Sequence, residues 1–251
     1  MIYVGIDIGS TASKVCVYDS KIKETFALPT GWSSVKTAGV IKDRLKELGL
    51  AKNNCKIVAT GYGRISVPYA DKTITEITCH GKGAYYLLKG DCTVIDIGGQ
   101  DTKIITIKDG RVTNFTMNDK CAAGTGRFLE LMAGTLGFTI DELYEKAKSG
   151  NGVTISSMCT VFAESEITSL IGNGTKREDI AFGVVDSITS KVKSLCQKHG
   201  EGFNYFLTGG LSQNKYIINT LSKKLRSPVK SNKFGRYAGA IGAALSASKL
   251  K

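Results

Sequence analysis

A repeated pattern is the feature that most constrains how this chain can fold. The segment YVGIDIGSTASKVCVYDSK at residues 3–21 recurs in outline as CTVIDIGGQDTKIITIKDG at residues 92–110. In each copy an apolar run ends in an aspartate and a glycine, and the chain then returns as an alternating strand, which is a β-hairpin pattern. Asp7 and Asp96 occupy the equivalent positions. Two matching hairpin starts predict an α/β chain of two related halves rather than one barrel.

The rest of the chain alternates between helical and strand-like patterns. Strands are predicted at residues 55–63 and at 203–209, where the second strand leads into a helix through a glycine pair. Helical spacing occurs at residues 33–50, 74–90, 126–137, 139–150, 156–174, 177–200 and 237–250. Asp141 and either Ser156 or Ser157 are predicted helix N-caps.

The domain organisation follows from the repeat and from the scarcity of breaks. The chain has only three prolines and no low-complexity linker, so the two halves are predicted to be tightly apposed. Residues 1–89 are assigned to the first half, with the closing helix 237–251 packing back on it. Residues 90–236 are assigned to the second half.

Composition narrows the class of protein. The chain of 251 residues is 42% hydrophobic, no run of about 18 apolar residues appears, and its N-terminus lacks the pattern of a signal peptide. These features predict a cytoplasmic protein with no membrane span. The net charge of +12 comes from lysines that are dispersed along the sequence, and this dispersion argues against a nucleic-acid-binding function. A solvated surface and an acidic protein partner both remain open as explanations of the charge.

The two hairpin turns have the composition of a phosphate site. Free backbone N–H groups in such turns bind phosphate oxygens, and small residues let the phosphate approach closely. Asp7 and Asp96 would lie beside the phosphates, suited to water ligands of Mg²⁺. Gln100 or Asp101 is predicted to orient the attacking water. The predicted nucleotide contacts are Gly9, Ser10, Thr11, Ala12, Ser13, Lys14, Gly98, Gly99, Lys103, Gly124, Thr125, Gly126, Gly209, Gly210, Asn214 and Arg236.

The order of these motifs resembles the superfamily of actin, hexokinase and heat-shock chaperone ATPases. The motifs are DIGST, DIGGQDTK, a GTG-containing helix, TGG, and a final AGAIGAA helix, and they span almost the whole chain. The resemblance implies two RNase-H-like, actin-like halves with ATP in the cleft between them. It also implies that domain closure depends on the nucleotide.

The seven cysteines show no close pairing, so thiols or thiolate ligands are expected rather than disulfides. Five of the cysteines fall in strand or helix patterns and are interpreted as small residues of the apolar core: Cys16, Cys55, Cys79, Cys92 and Cys196. Cys121 and Cys159 each follow a polar segment and are predicted to begin a helix, where the helix dipole favours a thiolate. Two ligands are too few for an iron–sulfur cluster, but a two-fold homodimer supplies four. A zinc site or core cysteines would fit the spacing equally well.

A narrower resemblance favours the cluster. MNDKCAAGTGRFLE at residues 117–130 and SSMCTVFAESE at residues 156–166, together with DIGGQDTK, resemble the activator component of 2-hydroxyacyl-CoA dehydratases, which is related to the ATPase subunits of benzoyl-CoA reductase. The resemblance implies that Cys121 and Cys159 bind one [4Fe-4S] cluster shared by a homodimer. It also implies that hydrolysis of ATP with Mg²⁺ drives an electron from ferredoxin or flavodoxin into an iron–sulfur dehydratase or reductase.

Two further expectations depend on single positions. Cys121 stands three residues before Gly124, so a shift of a nucleotide-contacting loop would move a cluster ligand. Arg236 stands where that family commonly has a glutamine near the adenine.

Two other classes of function remain open. A sugar or carboxylate kinase of the same superfamily would not need Cys121 and Cys159, and a nucleotide-switched binding module would have no redox centre.

Overall fold

Two β-sheets of matching design organise the protein. The structure is a computed structural model that describes residues 1–156 and 159–250. The first sheet has the strand order β3 (Lys21–Pro29), β2 (Ala12–Asp19), β1 (Ile2–Ile8), β4 (Cys55–Thr60), β5 (Lys72–Thr73). The second has the order β8 (Arg111–Asn118), β7 (Thr102–Lys108), β6 (Cys92–Ile97), β9 (Phe206–Gly209). The duplication predicted from the two motifs is therefore confirmed as an α/β fold with two sheets.

The strand register repeats between the two sheets. Asp7 lies opposite Lys14 in the β1–β2 hairpin, and Asp96 lies opposite Lys103 in the β6–β7 hairpin. Each aspartate also has a threonine beside it on the parallel neighbouring strand, Thr60 on β4 and Thr208 on β9. The sequence did not predict β3 and β8 as separate strands, because their residues are half-buried or exposed, with Phe26 as the one buried residue of the two strands, and so show no buried apolar face.

The α-helices in the described part of the chain are α1 (Ser34–Glu47), α2 (Glu76–Leu88), α3 (Gly126–Thr135), α4 (Ile140–Ser149), α5 (Thr160–Gly172), α6 (Arg177–His199), α7 (Lys215–Leu225) and α8 (Ala238–Ala247). Seven of these helices form where the helical spacing predicted them, and α7 is the helix predicted to follow the glycine pair after the strand at 203–209.

The predicted helix caps were wrong. Thr139, not Asp141, is the N-cap of α4, because its hydroxyl and the side chain of Glu142 form a reciprocal capping box. Ser156 does not cap α5, since its backbone N–H and hydroxyl both donate to Glu166. The N-cap of α5 is Cys159. Ser157 lies outside the described residues.

The predicted position of Cys121 at the start of a helix is also wrong. Helix α3 begins at Gly126, and Thr125 is its N-cap. The Asn118 side-chain amide donates to the carbonyls of Cys121 and Ala123, which holds this stretch as a loop. Gly124 then adopts a φ of +88°, a left-handed conformation that interrupts helix formation.

Helices α8 and α2 lie between the two sheets. Helix α8 packs on β1 so closely that a Cβ at Gly5 would overlap the carbonyl of Ala240. Helix α2 packs on α8 and, through Ala84, on Ile107 and Phe206 of the second sheet. The layers therefore run first sheet, α8, α2, second sheet. The predicted boundaries at residues 89 and 236 stay predictions, and α2, assigned to the first half, contacts both halves.

Close contact between α8 and α2 gives a stability prediction. A Cβ on Gly242 would overlap the backbone of Cys79, so Gly242→Ala is expected to lower the free energy of unfolding by about 3 kcal/mol. Gly39→Ala is the matched control, because no atom lies within 4 Å of its Cβ position and alanine favours the helix. Chemical denaturation should show the control equal to or more stable than the wild type. Equal stability of both variants would contradict the close packing.

No helix within the described residues combines the length and apolar character needed to cross a membrane.

Candidate functional site

A cleft of about 720 Å³ lies between the turns of the two hairpins. This volume is in the range of pockets that hold a nucleotide-sized ligand. Fifteen of the residues predicted to form the site line the cleft: Gly9, Ser10, Thr11, Ala12, Lys14, Asp96, Gly98, Gly99, Gln100, Asp101, Lys103, Gly126, Gly209, Gly210 and Arg236. The structure therefore brings most of the predicted site together from segments distant in the sequence.

Five of the residues predicted to bind the nucleotide or Mg²⁺ do not line the cleft: Asp7, Ser13, Gly124, Thr125 and Asn214. Thr125 is buried, and its hydroxyl donates to the carbonyl of Ala122. The hydroxyl of Ser13 is buried and forms a 2.8 Å hydrogen bond with the hydroxyl of Thr30. Asn214 is the N-cap of α7, and its side-chain oxygen accepts from Ile217 N–H. Asp7 lies behind the cleft wall and is almost fully buried. Ser13 and Asn214 thus have structural partners, whereas Asp7 reaches the site through Lys14 and a histidine described below.

The GTG segment contacts the second hairpin turn. The backbone N–H groups of Gly126 and Arg127 donate to the carbonyls of Gly98 and Gly99, each at 2.9 Å. Thr102 donates its hydroxyl proton to the carbonyl of Gly124 at 2.6 Å. These N–H groups at the start of α3 are therefore already bonded to protein. The segment holds the second turn in place rather than offering these groups to a ligand.

The two turns also touch each other. A Cβ on Gly99 would overlap the side chain of Thr11, so glycine is required at this approach. The predicted phosphate-binding turns, one from each sheet, therefore meet across the cleft.

A cluster of buried charges lies beneath the turns. His80 of α2 lies between the two duplicated aspartates, with Nδ1 at 3.2 Å from an oxygen of Asp96 and Nε2 at 3.9 Å from an oxygen of Asp7. Lys103 Nζ lies 3.6 Å from Asp96 and 3.0 Å from Glu76, one turn before His80 on α2. Helix α2 thus connects Asp7 of the first sheet with Asp96 of the second through the charge contacts of His80.

The surroundings shift the pKa values of this cluster in opposite directions. Burial lowers the pKa of His80, but the carboxylates of Asp96, Asp7 and Glu76 more than offset this and raise it to about 9. Burial raises the pKa of Asp96, yet His80 and Lys103 hold it well below its usual range. Burial raises the pKa of Asp7 against the opposing charges of Lys14 and His80. At neutral pH the centre therefore contains an imidazolium between two carboxyl groups.

Twelve residues that line the cleft were not predicted from the sequence, and Tyr62, Arg64, Glu76 and His80 are among them. Tyr62 and Arg64 follow β4, whose end points to the cleft. Glu76 and His80 stand four positions apart, which places them on one face of a helix. That spacing was the available signal for the buried pair.

His80 predicts a pH dependence of stability in the nucleotide-free protein. The pKa of His80 is about 9 in the folded protein and 6.5 in the reference state that stands for the unfolded chain. The protonated imidazole therefore stabilises the fold fully below pH 6.5, and this stabilisation is lost as the pH rises through 9. This difference corresponds to about 3 kcal/mol of unfolding free energy. The wild type should lose it over this interval, and His80→Gln should not. Denaturation at several pH values tests this.

His199 supplies the control for that experiment. It is the other histidine of the chain, hydrogen-bonded to the hydroxyls of Thr106 and Thr116. Burial lowers its pKa, so it is neutral across the same interval. His199→Gln should keep the pH dependence of the wild type. Its loss in that variant would show that another group causes it.

Among the buried polar atoms that lack a hydrogen-bond partner in the described residues are Oδ1 of Asp7 and Nε of Arg236. A buried donor or acceptor without a partner costs free energy, which a bound ligand can recover. Arg236 lines the cleft, as do Gly210 and Leu211. Its position suits contact with a base, and the position of Asp7 suits a water held by Mg²⁺.

The seven cysteines, all of them in the described part of the chain, form no disulfide. Five are buried in the strands and helices predicted for them, and burial raises their thiol pKa: Cys16, Cys55, Cys79, Cys92 and Cys196. Cys121 is half-buried and Cys159 is exposed. These two are the thiols available at the surface, as ligands shared between two protein chains would need to be.

Exposed apolar side chains follow Cys159 in the first turn of α5 and recur farther along this helix. Val161 and Phe162, in the first turn of α5, are 64% and 67% exposed, and Ile171 near its end is 42% exposed. Leu131 on the neighbouring helix α3 is also exposed. Such a surface on a single chain favours a partner that covers it.

Comparisons with known proteins give a family match over almost the whole chain. Residues 4–247 match the model of the BadF/BadG/BcrA/BcrD ATPase family. The (R)-2-hydroxyglutaryl-CoA dehydratase activating ATPase of Acidaminococcus fermentans is 44% identical over 98% of this chain and 96% of its own length.

Solved structures of similar fold were also found. The activator of the 2-hydroxyisocaproyl-CoA dehydratase from Clostridium difficile, with bound ADPNP, has a TM-score of 0.91 at 38% identity, covering 98% of this chain and 94% of that chain. A glucokinase of the ROK family from Streptomyces griseus has a TM-score of 0.63 at 15% identity, covering 100% of both chains, which shows a shared fold alone.

Proposed function

We propose that this chain, which belongs to the BadF/BadG/BcrA/BcrD ATPase family, couples ATP hydrolysis to one-electron reduction of a 2-hydroxyacyl-CoA dehydratase or a related iron–sulfur enzyme. Membership of the family confirms the resemblance drawn from the sequence motifs. The observation that carries the proposal is the direct hydrogen bonding between the second turn and the segment after Cys121, through Gly98 and Gly126.

In the proposed site, ATP lies in the cleft with its phosphates against the two turns. Lys14 and Lys103 supply positive charge near the phosphates. Asp7 and Asp96 hold waters of Mg²⁺, which when bound neutralises phosphate charge. Gln100 or Asp101 orients the attacking water, and Asp101 is fixed for that task by a 2.7 Å contact with Lys103. Gly209, Gly210 and Arg236 border the base.

The assignment of the iron–sulfur cluster ligands rests on which cysteine thiols are accessible at the surface. A [4Fe-4S] cluster needs four thiolates and, when bound, supplies a one-electron centre. Cys121 and Cys159 are the accessible pair, and a two-fold homodimer brings two such pairs together. The exposed apolar side chains of α5 would be covered in that dimer, which supports self-association at this surface.

Coupling follows from the hydrogen bonds on the cysteine side of the cleft. A change in the second turn alters its bonds to Gly126 and Arg127, and the backbone from there to Cys121 is only five residues long. Asn118 holds the same loop from the other end. Nucleotide state and the position of Cys121 are therefore linked by a short, bonded path.

The partners follow from the proposed reaction. An iron–sulfur dehydratase or reductase accepts the electron, and ferredoxin or flavodoxin supplies it. The net charge of +12 favours rapid encounter with acidic electron carriers. The acyl-CoA binds to the acceptor enzyme and not to this chain.

Purification without oxygen tests the proposal. The protein should be dimeric and coloured, with about four irons and four sulfides per dimer. It should also reduce an acceptor dehydratase only when ATP and a low-potential donor are present. A colourless, iron-free protein that hydrolyses ATP normally would contradict the proposal, and it would favour the kinase or the nucleotide-switched binding module.

A further inference from the structure

Four large apolar side chains form an exposed group on the first half, here called the Trp32 patch. They are Trp32 (85% exposed), Val35 (67%), Tyr62 (78%) and Ile65 (84%). Trp32 and Tyr62 lie on loops, Val35 is in the first turn of α1, and Ile65 is in a short 3-10 helix after Tyr62. The two segments pack together, since a Cβ on Gly63 would press against the side chain of Ser34. Contiguous exposed apolar surface of this kind marks interaction sites on soluble proteins.

Both loops of the Trp32 patch are bonded to the first hairpin turn. Thr30, two residues before Trp32, donates its N–H to the carbonyl of Thr11 at 3.0 Å and its hydroxyl proton to the carbonyl of Gly9 at 2.8 Å. Gly63, between Tyr62 and Arg64, donates to the carbonyl of Ile8 at 2.9 Å. A displacement of this turn is therefore transmitted to both loops.

The strand directions place the Trp32 patch and the segment of Cys121 at the strand ends that face the cleft, one in each sheet. Strands β1 and β3 both run antiparallel to β2, so they end at the same edge, as does β4, which is parallel to β1. In the second sheet, β6 and β8 both run antiparallel to β7. Trp32 follows β3, Tyr62 follows β4, and Cys121 follows β8. The patch and the cysteine segment thus flank the cleft from opposite halves.

We propose that the Trp32 patch is the docking surface for the electron-accepting protein, a partner with an apolar contact centre and an acidic rim. This inference rests on the proposed function. Lys36, whose ammonium lies 4.5 Å from the Trp32 ring centre, and Arg64 give the patch a basic rim. Tryptophan, tyrosine and arginine around an apolar centre are typical of residues that dominate binding energy in protein interfaces.

The position of the patch favours the acceptor over the other possible occupants. The apolar surface that follows Cys159 on α5 is the one that a second copy would cover. A weak electron donor needs mainly charge for its encounter, whereas an acceptor engaged through each hydrolysis cycle needs contacts that respond to the nucleotide. The bonds from Thr30 and Gly63 to the first turn supply that response.

The test is a double variant, Trp32→Ser with Ile65→Ser, chosen because neither residue lines the cleft. Phe115→Ser is the control, since Phe115 is an exposed aromatic residue of β8 outside the patch. The probe is purified (R)-2-hydroxyglutaryl-CoA dehydratase from Acidaminococcus fermentans. ATP hydrolysis without acceptor, iron content, oligomeric state, and affinity for the dehydratase with ADPNP are measured on all three proteins.

The double variant should bind the dehydratase at least about 30-fold more weakly and reduce it correspondingly more slowly, as expected for loss of interface hot spots. Its hydrolysis, iron content and oligomeric state should equal those of the wild type, and the control should bind normally. Unchanged affinity in the double variant overturns the docking surface and leaves the proposed function standing. A changed oligomeric state assigns the patch to a second copy and also overturns it. A wild type without iron, or unable to bind or reduce the dehydratase, overturns both.

Discussion

Asp96→Asn is expected to lower the rate of ATP hydrolysis by about 100-fold or more, equivalent to about 3 kcal/mol of activation free energy. Asp96 lies at the cleft, held by the hydroxyl of Thr208 at 2.7 Å and by the charges of His80 and Lys103. Asparagine keeps the shape and loses the charge that would organise Mg²⁺ and its waters. Steady-state phosphate release at saturating Mg·ATP measures the effect.

Loss of folding must be separated from loss of chemistry in that variant. Iron content should stay at the wild-type level, because Asp96 is not a predicted cluster ligand. Asp186→Asn is the matched control, since Asp186 forms a surface ion pair with Lys224 and lies outside the cleft. It should hydrolyse ATP normally. Simultaneous loss of iron and hydrolysis in Asp96→Asn would indicate misfolding, and unchanged hydrolysis would remove Asp96 from the mechanism.

The parts of the site that could be predicted from the sequence are those encoded locally. Each hairpin carries its aspartate, its turn glycines and its returning lysine within one short segment, so these residues could be singled out from the sequence. The structure adds the register that pairs Asp7 with Lys14 and Asp96 with Lys103. Seven of the helices in the described residues were predictable for the same reason, because helical periodicity is contained within each segment.

The parts that were missed depend on contacts between distant segments. The charge contacts of His80 could not be predicted, because they form only when α2 lies between the two sheets and brings His80 close to both Asp7 and Asp96. The loop at Cys121 depends on the side chain of Asn118, and the start of α3 depends on carbonyls of the second turn. Local sequence at Cys121 resembles the start of a helix, and these bonds override it.

The duplication explains why one nucleotide can act on two surfaces. In the first half, the turn at Gly9 and Thr11 is bonded to the loops of the Trp32 patch. In the second half, the turn at Gly98 and Gly99 is bonded to the segment after Cys121. The two turns touch each other, so a ligand between them contacts both paths. The proposed docking surface and the proposed cluster ligand are thereby placed under the same control.

Cys159→Ser is expected to remove nearly all of the iron and with it ATP-dependent electron transfer, while ATP hydrolysis persists. One substitution per chain removes two of four thiolates in a homodimer, and serine is a poor ligand for iron–sulfur clusters. Cys159 is exposed at the start of α5 and lies outside the cleft, so the fold and the nucleotide contacts should be unaffected. Iron and sulfide analysis, visible absorption and phosphate release measure the three properties.

Cys196→Ala is the control, because Cys196 is buried in α6 and burial raises its thiol pKa to about 12. A thiol that resists ionisation in an apolar core is unsuited to ligate a metal at the surface, so this variant should keep its iron. Iron retained by Cys159→Ser would exclude Cys159 as a ligand. Iron lost from both variants would indicate that the cluster depends on the stability of the second half and not on Cys159 as a ligand. Only loss confined to Cys159→Ser, with hydrolysis preserved, separates the redox centre from the ATPase that it is proposed to serve.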